Sequence, residues 1–275
     1  MNTIPFAKMS GTGNDFVVID NRDGCVEDAG LSEFIQNVCR RKISVGADGL
    51  ILIESSKKAD FRWRFFNSDG SRAEMCGNGA RCATRFAFLN GIGGENLSFE
   101  TDAGIIHGQV IGGGAKVRIP DPVDLRLNYT IDLKSGPLTV CSINTGVPHV
   151  VVMQDDVENV DIVGLGREIR YHEAFAPAGT NVNFICQQKP GRLAIRTYER
   201  GVEDETLACG TGSIAGALVA ACMTDWTSPI SLVARSGDLL RIYFSENNHV
   251  FTDVYLEGDA RLIYSAELGE DAWRR

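Results

Sequence analysis

The chain contains two copies of a Cys-Gly-x-Gly motif, each in a setting where a thiol can exchange protons. One copy, in EMCGNGARC, includes Cys76, and the other, in LACGTGSIA, includes Cys209. Helix-forming residues follow both motifs, so each cysteine is expected near backbone N–H groups that have no partner within the helix. Such helix starts attract anions and lower the pKa of a thiol from about 8.5 towards neutrality. A thiol of this kind suits proton donation and proton acceptance near pH 7.

A pair of such cysteines, one in each of two similar domains, is suited to inverting a carbon centre. One thiolate removes an α-hydrogen, and the opposing thiol delivers a proton to the other face of the planar carbanion. The N–H groups at the helix starts hold the substrate carboxylate more strongly as negative charge moves onto its oxygens. The motif pair therefore favours a racemase or epimerase that uses no cofactor.

The two motifs belong to an internal duplication. Cys209 follows Cys76 by 133 positions, and at the same offset TGNDFVVI (12–19) falls on TGVPHVVV (145–152) and GADGLI (46–51) on GTNVNF (179–184). Further on, Ser98 falls on Ser231 and Gly104 on Gly237. Four matching blocks in the same order at one offset favour two similar domains, each with its own core. Of the eight cysteines only Cys76 and Cys209 coincide at this offset, so the other six are expected to be core residues.

The elements that position the motifs repeat in the same order in each half. Short β-branched or aromatic runs predict strands at 16–19, 50–53, 61–66, 150–153, 183–186 and 194–198. One central helix follows each motif, at 80–89 and at 213–223, and the second helix is apolar on nearly every side. We predict an α+β fold of two pseudo-symmetric domains, each a curved, mostly antiparallel sheet or barrel around a central helix. The active site is expected in the cleft between them.

We expect the first domain to cover residues 1–119 and the second to cover residues 120–263, with a C-terminal tail, 264–275, packing on the first domain. Pro120-Asp121-Pro122 marks the connection between the halves.

The composition is typical of a globular protein and excludes several classes of partner. The chain has 275 residues, 44% of them hydrophobic, with a net charge of -9 and a pI near 5.0. No basic run is present to neutralise phosphates, so nucleic acid is not expected as a partner. Neither a signal-peptide pattern nor a membrane-spanning apolar run is present, so we expect a cytoplasmic protein with reduced thiols and no membrane partner. The absence of any Cys-x-x-Cys pair argues against a metal site.

Three segments carry a resemblance to a known enzyme family. SGTGNDFVVID, FNSDGSRAEMCGNGARC and TYERGVEDETLACGTGS resemble the diaminopimelate epimerases, isomerases that interconvert LL- and meso-2,6-diaminopimelate for lysine and peptidoglycan precursor synthesis. The resemblance implies a cofactor-independent reaction in which one catalytic cysteine acts as base and the other as acid. It also implies two similar domains around a cleft, a small-molecule substrate and a homodimer.

The resemblance further implies a set of substrate-binding residues: Asn14, Asn67, Gly77, Asn78, Asn181, Glu199, Arg200, Gly210 and Thr211. Arg200 offers a bidentate fork for a carboxylate, and Glu199 offers a charge for an ammonium group. His149 and Glu199 match positions that tune the pKa of the thiols. The chain departs from the family at Val147, where many members have asparagine, and near Gly49, where some have glutamine.

Other functions are compatible with paired cysteines. A racemase resembling proline racemase also pairs two thiols, but that family typically has histidine where this chain has Asn78. A substrate with only one carboxylate would also have no distal groups for Glu199 and Arg200 to bind. A non-catalytic ligand-binding protein, or a redox sensor that joins Cys76 to Cys209, is a third hypothesis. No feature of the sequence marks the Schiff-base lysine of a pyridoxal enzyme.

Overall fold

The computed structural model describes residues 3–73 and 75–274. The chain divides into two compact units, which we call unit 1 (Met1–Val117 and Gly258–Arg275) and unit 2 (Arg118–Glu257). The sequence analysis placed the two domain boundaries after residues 119 and 263, whereas the units divide after Val117 and Glu257. Residues 1, 2 and 275 of the predicted domains lie outside the described residues.

Strands and helices are mixed along both parts of the chain. The first part forms β1 Ile4–Gly11, β2 Asn14–Asp20, α1 Leu31–Cys39, β3 Gly49–Glu54, β4 Phe61–Asn67, β5 Arg72–Ala73, α2 Gly77–Leu89, β6 Asn96–Thr101, β7 Gly104–Ile111 and β8 Gly114–Arg118. The second part forms β9 Val123–Leu133, β10 Gly136–Asn144, β11 Pro148–Met153, α3 Ile162–Arg170, β12 Asn181–Lys189, β13 Arg192–Glu199, β14 Asp204–Thr206, α4 Gly210–Met223, β15 Ile230–Val233, β16 Leu239–Asn247, β17 Val250–Asp259 and β18 Arg261–Leu268. The predicted α+β class is confirmed.

In unit 1 the strands pair in the order β18-β1-β2-β3-β4-β6-β7-β8, and β5 adds to β4. The pairs β2–β3 and β4–β6 are parallel, whereas the others are antiparallel. A parallel pair needs a crossover connection, and α1 and α2 supply the two crossovers. Because β18 pairs with β1, the end of the chain belongs to unit 1.

Unit 2 repeats this arrangement in the order β9-β10-β11-β12-β13-β15-β16-β17, with β14 on β13. Its parallel pairs are β11–β12 and β13–β15, and their crossovers contain α3 and α4. The two units therefore share the order and the direction of their strand pairs. The predicted internal duplication is confirmed at the level of topology.

The offset between the repeats is not constant, contrary to the sequence analysis. Phe16 lies opposite Gly49 in β2–β3, whereas His149 lies opposite Asn181 in β11–β12. The crossover through α3 is thus one residue shorter than the crossover through α1, and the offset falls from 133 to 132 over β12. The structural counterpart of Asn183 is accordingly Ile51 rather than Leu50.

Each sheet is covered by helices because its strands alternate apolar side chains between two faces. In unit 1, Val17 and Leu50 pack in one cluster with residues of α1. On the opposite face, a Cβ atom at Gly79 of α2 would contact the Ile51 and Trp63 side chains at 3.4 Å. The absence of a side chain at Gly79 therefore lets α2 lie close against the sheet.

The helix α4 of unit 2 is enclosed by its sheet, as its uniformly apolar sequence predicts. Gly210 and every residue from 212 to 220 are buried. A Cβ atom at Gly216 would meet Ile185 and Leu232, which lie on β12 and β15, the strands on either side of β13. Across residues 3–73 and 75–274, no helix combines the length and the apolar character needed to cross a membrane.

Three details of the predicted elements are wrong. The central helices begin at Gly77 and Gly210, three residues before the predicted starts, because the Gly-x-Gly segment forms the first helical turn. Each unit also contains a second, shorter helix, α1 or α3, that was not predicted. Cys25 is exposed and Cys222 is half-buried, so neither is a core residue.

Candidate active site

In unit 1, Cys76 is the N-cap residue of α2 and adopts an extended backbone conformation. Its carbonyl accepts a hydrogen bond from the Ala80 N–H at 2.8 Å, which closes the first turn of the helix. The side chain is half-buried. This position puts the thiol at the positive end of the helix dipole, as the sequence predicted.

The predicted contact residues Asn14 and Asn78 lie together beside this helix start. Asn78, the second residue of α2, is buried, and its Nδ2 donates to Asn14 Oδ1 at 2.6 Å. Asn14 Nδ2 donates in turn to Asp48 Oδ2 at 3.0 Å, and Arg81 donates to Asn78 Oδ1 at 2.9 Å. These bonds fix the orientation of both amides before any substrate binds.

A cluster of ion pairs contacts Asn14 through its hydrogen-bond partner Asp48. Asp48 binds Arg41 at 2.8 Å, Arg41 binds Asp15 at 2.6 Å, and Lys8 binds Asp15 at 2.7 Å. Burial raises the pKa of Asp15, but hydrogen bonds and charge from Arg41 and Lys8 outweigh it and hold the pKa below its usual value. The cluster therefore holds the Asp15 and Asp48 carboxylates in fixed positions, and Asp48 accepts the hydrogen bond from the Asn14 amide.

Arg81 connects the start of α2, through hydrogen bonds, to residues of unit 1 that are distant in the sequence. Its fully buried guanidinium donates to Thr12 Oγ1 at 2.7 Å, to the Asp259 carbonyl at 3.2 Å and to the Gly77 carbonyl at 3.3 Å. The predicted contact Gly77 is thereby held as the first residue of the helix. Asn67, at the exposed end of β4, donates to Ser71 Oγ at 3.0 Å across the turn that follows.

In unit 2, Cys209 occupies the same N-cap position on α4. Its Sγ accepts a hydrogen bond from the Gly212 N–H at 3.4 Å and lies 3.5 Å from Thr211 Oγ1. The carbonyl of Thr211 accepts a hydrogen bond from Thr145 Oγ1 at 3.0 Å. Cys209 and Gly210 are both buried. An N–H donor aimed at sulfur favours the thiolate over the thiol.

Asn181 and Arg200 form a second pair of predicted contacts in unit 2. Asn181 Oδ1 accepts from the Arg200 N–H at 2.9 Å, and its Nδ2 donates to the Pro148 carbonyl at 3.1 Å. One guanidinium N–H of Arg200 donates to the Ala178 carbonyl at 3.3 Å. Arg200 is only partly buried, so its side chain is accessible to a carboxylate ligand.

Glu199 and His149, the predicted modulators of the thiols, have shifted pKa values. Burial raises the pKa of Glu199, with the Thr206 hydroxyl acting in the opposite direction. Burial, together with the charge of Arg200, lowers the pKa of His149 to about 3. His149 is therefore neutral at pH 7 and acts on its surroundings as a hydrogen-bonding group rather than as a cation.

The buried His149 makes a testable contribution to the pH dependence of stability. Between its folded pKa of about 3 and its ordinary value of 6.5, the unfolded chain binds a proton that the folded chain excludes. Above pH 6.5 this group makes its full contribution to the free energy of unfolding. As the pH falls from 6.5 towards 3, that contribution decreases by about 1.4 kcal/mol per pH unit. Urea unfolding at pH 6 and pH 5 measures this slope. The His149→Gln variant is expected to lose it, and an unchanged slope in that variant would contradict the assignment.

The two departures from the family pattern have structural explanations. The Val147 carbonyl accepts a hydrogen bond from the Thr145 N–H at 3.2 Å, so the backbone at this position shapes the turn before β11. A Cβ atom at Gly49 would lie 2.6 Å from the Phe66 carbonyl oxygen and 2.7 Å from the Phe65 ring. No side chain fits at Gly49, because the neighbouring strand approaches too closely.

Several residues that support the site were not identified from the sequence. Asp48 and Arg81 hold the asparagines of unit 1, and Asn183 and Thr197 bond to each other at 3.0 Å in unit 2. One signal was available: Asn183 interrupts an apolar strand run, and a polar residue at such a position needs partners.

Solved structures with the same fold are similar to this chain over nearly its whole length. A phenazine biosynthesis protein of the PhzF family from Bacillus anthracis matches with a TM-score of 0.75 at 17% identity, covering 98% of this chain and 100% of that one. A probable proline racemase from Agrobacterium radiobacter K84 matches with a TM-score of 0.69 at 15% identity, covering 98% and 93%. At these identities the likeness shows a shared fold.

Relatives found by sequence share a much higher identity with this chain than these solved structures do. A diaminopimelate epimerase from Aquifex aeolicus (strain VF5) is 46% identical, with 97% of this chain and 98% of the relative covered. A diaminopimelate epimerase from Hydrogenobaculum sp. (strain Y04AAS1) is 45% identical, with 95% and 97% covered. The family model for diaminopimelate epimerase matches residues 6–120 and 141–263. The chain belongs to the diaminopimelate epimerase family and is an isomerase.

Proposed function

We propose that the protein converts LL-2,6-diaminopimelate into meso-diaminopimelate without a cofactor, through a thiolate and a thiol supplied by Cys76 and Cys209. The observation that carries this proposal is the equivalent position of the two cysteines. Each is the N-cap residue of the helix in the second crossover of its unit. Family membership supplies the substrate.

Two thiols in equivalent positions are suited to both directions of the reaction. One thiolate takes the α-hydrogen as a proton and becomes a thiol, and the electron pair left on the α-carbon is shared with the carboxylate. The other thiol then gives its proton to the opposite face of that carbon and becomes a thiolate. The reverse reaction starts from this second protonation state, so the enzyme needs no further group to catalyse it.

Backbone N–H groups at the helix starts stabilise the charge that develops in this step. At Cys209 an N–H of the first turn already points at sulfur, as the bond from Gly212 shows. The neighbouring N–H groups at Gly210 and Thr211, and at Gly77 and Asn78 in unit 1, have no helical acceptor of their own because they lie in the first turn. We assign them to the carboxylate of the reacting centre, whose charge increases as the α-hydrogen leaves.

Recognition of the distal amino acid end requires one positive and one negative group. We assign the distal carboxylate to Arg200 and the distal ammonium to Glu199. Burial raises the pKa of Glu199, so its carboxylate lacks full solvation and gains most from a cationic partner. Asn14, Asn67 and Asn181 supply further polar contacts. A substrate with one amino acid end would leave this part of the site unused.

The cellular setting follows from the same assignment. We propose a cytoplasmic homodimer that acts in lysine and peptidoglycan precursor synthesis. We further propose that one epimerase domain covers residues 1–119, with the tail 264–275 packing on it, and that the other covers residues 120–263. Analytical ultracentrifugation tests dimer formation.

The direct test is incubation of the purified protein with LL-diaminopimelate, followed by chiral separation of the stereoisomers. We expect meso-diaminopimelate to accumulate until the two isomers reach equilibrium, in the presence of a chelator and without added pyridoxal phosphate. L-Proline and trans-4-hydroxy-L-proline serve as matched amino acid substrates and are expected to keep their configuration. Inversion of proline with no change in diaminopimelate would instead favour the proline racemase alternative.

A further inference from the structure

Asn183 lies at the centre of a buried polar cluster in unit 2. It is completely buried in β12, and its Nδ2 donates to the Val150 carbonyl at 2.9 Å and lies 3.1 Å from His149 Nδ1. Its Oδ1 accepts a hydrogen bond from Thr197 Oγ1 at 3.0 Å. Both the nitrogen and the oxygen of this amide therefore make hydrogen bonds.

These bonds determine which nitrogen of His149 carries the hydrogen. A backbone carbonyl only accepts, so the Asn183 atom that faces Val150 must be the amide nitrogen. The second hydrogen of that nitrogen is then directed at His149 Nδ1, which must accept it with a lone pair. His149 is consequently the neutral tautomer with its hydrogen on Nε2, which agrees with the low pKa that burial imposes.

The hydrogen on Nε2 has no acceptor among the described residues. His149 is 1% exposed, and Nε2 finds no hydrogen-bond partner in the part of the chain that the structure describes. A buried donor without an acceptor is energetically unfavourable. A ligand oxygen that accepts this hydrogen would recover that free energy, so the imidazole is poised as a donor.

Asn183 also contacts the helix start that holds Cys209. A Cβ atom at Gly212 would overlap Asn183 Oδ1, so the amide packs directly against the first turn of α4. The N–H of the same glycine donates to Cys209 Sγ at 3.4 Å. One side chain thus sets both the tautomer of His149 and the surroundings of the turn that binds the thiol.

Unit 1 has no such cluster at the equivalent positions. The counterparts of His149, Asn183 and Thr197 in the paired strands are Phe16, Ile51 and Phe65. The Phe16 and Phe65 rings pack edge to face at 6.0 Å. These three positions are therefore apolar in unit 1 and polar in unit 2.

We propose that Asn183 is a positioning residue that holds His149 as the neutral Nε2–H tautomer, so that Nε2–H donates to an oxygen of the reacting carboxylate. The donation to substrate rests on the proposed function, whereas the tautomer does not. The two cysteines are thereby inequivalent, since the counterpart of His149 in unit 1 is Phe16, which has no imidazole donor.

Nitrogen-15 NMR of the histidine-labelled protein without substrate tests the tautomer directly. The chain has four histidines, and the spectrum of His149→Gln identifies the signals of this one. We expect an unprotonated Nδ1 and a protonated Nε2 at pH 7. A protonated Nδ1, or an imidazolium, would overturn the proposal whatever the activity of the enzyme.

Two variants test the role of Asn183 in positioning the ring. Asn183→Leu removes the donor to Nδ1, so both tautomers should be populated and kcat/KM for diaminopimelate should fall about tenfold to a hundredfold. Thr197→Val is the matched control: it removes one buried polar group but leaves both Nδ2 bonds, so the Nε2–H tautomer should persist.

The test of donation to substrate is the Nε2–H proton signal of the wild-type protein, which should shift when meso-diaminopimelate is added. The proposal fails if that signal does not move, or if Asn183→Leu keeps both the tautomer and kcat/KM within twofold of wild type. Absence of epimerase activity in a wild-type protein with the Nε2–H tautomer would instead overturn the proposed function.

Discussion

Replacing either Cys76 or Cys209 by alanine is expected to lower the rate of diaminopimelate inversion by at least about a thousandfold, because each variant lacks one of the two proton-transfer groups. The double variant should be about as inactive as either single variant, since the two thiols act as a unit. Chiral separation of the products over time measures the loss. A single variant that keeps more than a tenth of the wild-type rate would contradict the two-thiol mechanism.

The single variants should also differ from each other in a second assay. A protein with one remaining thiolate can remove the α-hydrogen of the stereoisomer that faces it and return a solvent proton to the same face. We therefore expect each variant to exchange hydrogen with solvent in one isomer only, without inversion. Cys25→Ala is the control for cysteine removal, because this exposed residue lies in a surface loop and its loss should leave the kinetics unchanged.

Replacing Arg81 by methionine is expected to lower the free energy of unfolding by about 3–5 kcal/mol. The guanidinium is completely buried and binds Thr12 Oγ1 and Asn78 Oδ1, so its loss leaves buried acceptors without a donor. Hydrogen bonds from a charged group contribute about 1.5–3 kcal/mol each, and neighbouring bonds are not additive. Urea unfolding of the two proteins measures the difference.

Arg22→Met provides a matched control for this substitution. The Arg22 side chain pairs with Asp20 at 2.8 Å, and both side chains are more than a third exposed, at 40% and 36%. Exposed ion pairs contribute about 0–1 kcal/mol, so this variant should stay within that range of wild type. If Arg81→Met also stays within 1 kcal/mol of wild type, the buried network does not stabilise unit 1.

The N-cap positions of the two cysteines were more predictable than the bounds of the helices that carry them. The cysteines were identifiable because their motif occurs twice, and their N-cap positions follow from helix-forming residues behind Gly-x-Gly. The helix starts were placed three residues late because glycine disfavours helix interiors, a penalty that matters less in the first turn. The helix α1 was missed because it has nine residues and begins after Gly30 without a side-chain cap.

The residues that orient the site depend on contacts that no local pattern reveals. Arg81 binds the Asp259 carbonyl, 178 positions along the chain, and Asn183 binds His149 across 34 positions. A single sequence contains no record of such pairs. The one-residue difference between the crossovers likewise becomes visible only in the strand register, and it changes the counterpart of Asn183 from Leu50 to Ile51.

The inequivalence of the two halves is the main result that the duplication concealed. The offset suggested alike thiols in alike settings, and the topology of the two units is indeed the same. The side chains beneath the helix starts differ, however, with His149 and Asn183 in unit 2 and with Phe16 and Ile51 in unit 1. Duplication has kept the backbone that presents each cysteine, while the surrounding surface has diverged.

The most direct test of the two-thiol mechanism follows hydrogen at the α-carbon during the first turnovers in deuterium oxide. The enzyme is mixed with LL-diaminopimelate, and the reaction is stopped before an appreciable fraction is converted. Two separate thiols predict that the new meso isomer carries solvent deuterium at the inverted carbon while the recovered LL isomer carries none. A meso product that retains the original hydrogen would mean that one group both removes and returns the proton, and would contradict the two-thiol mechanism.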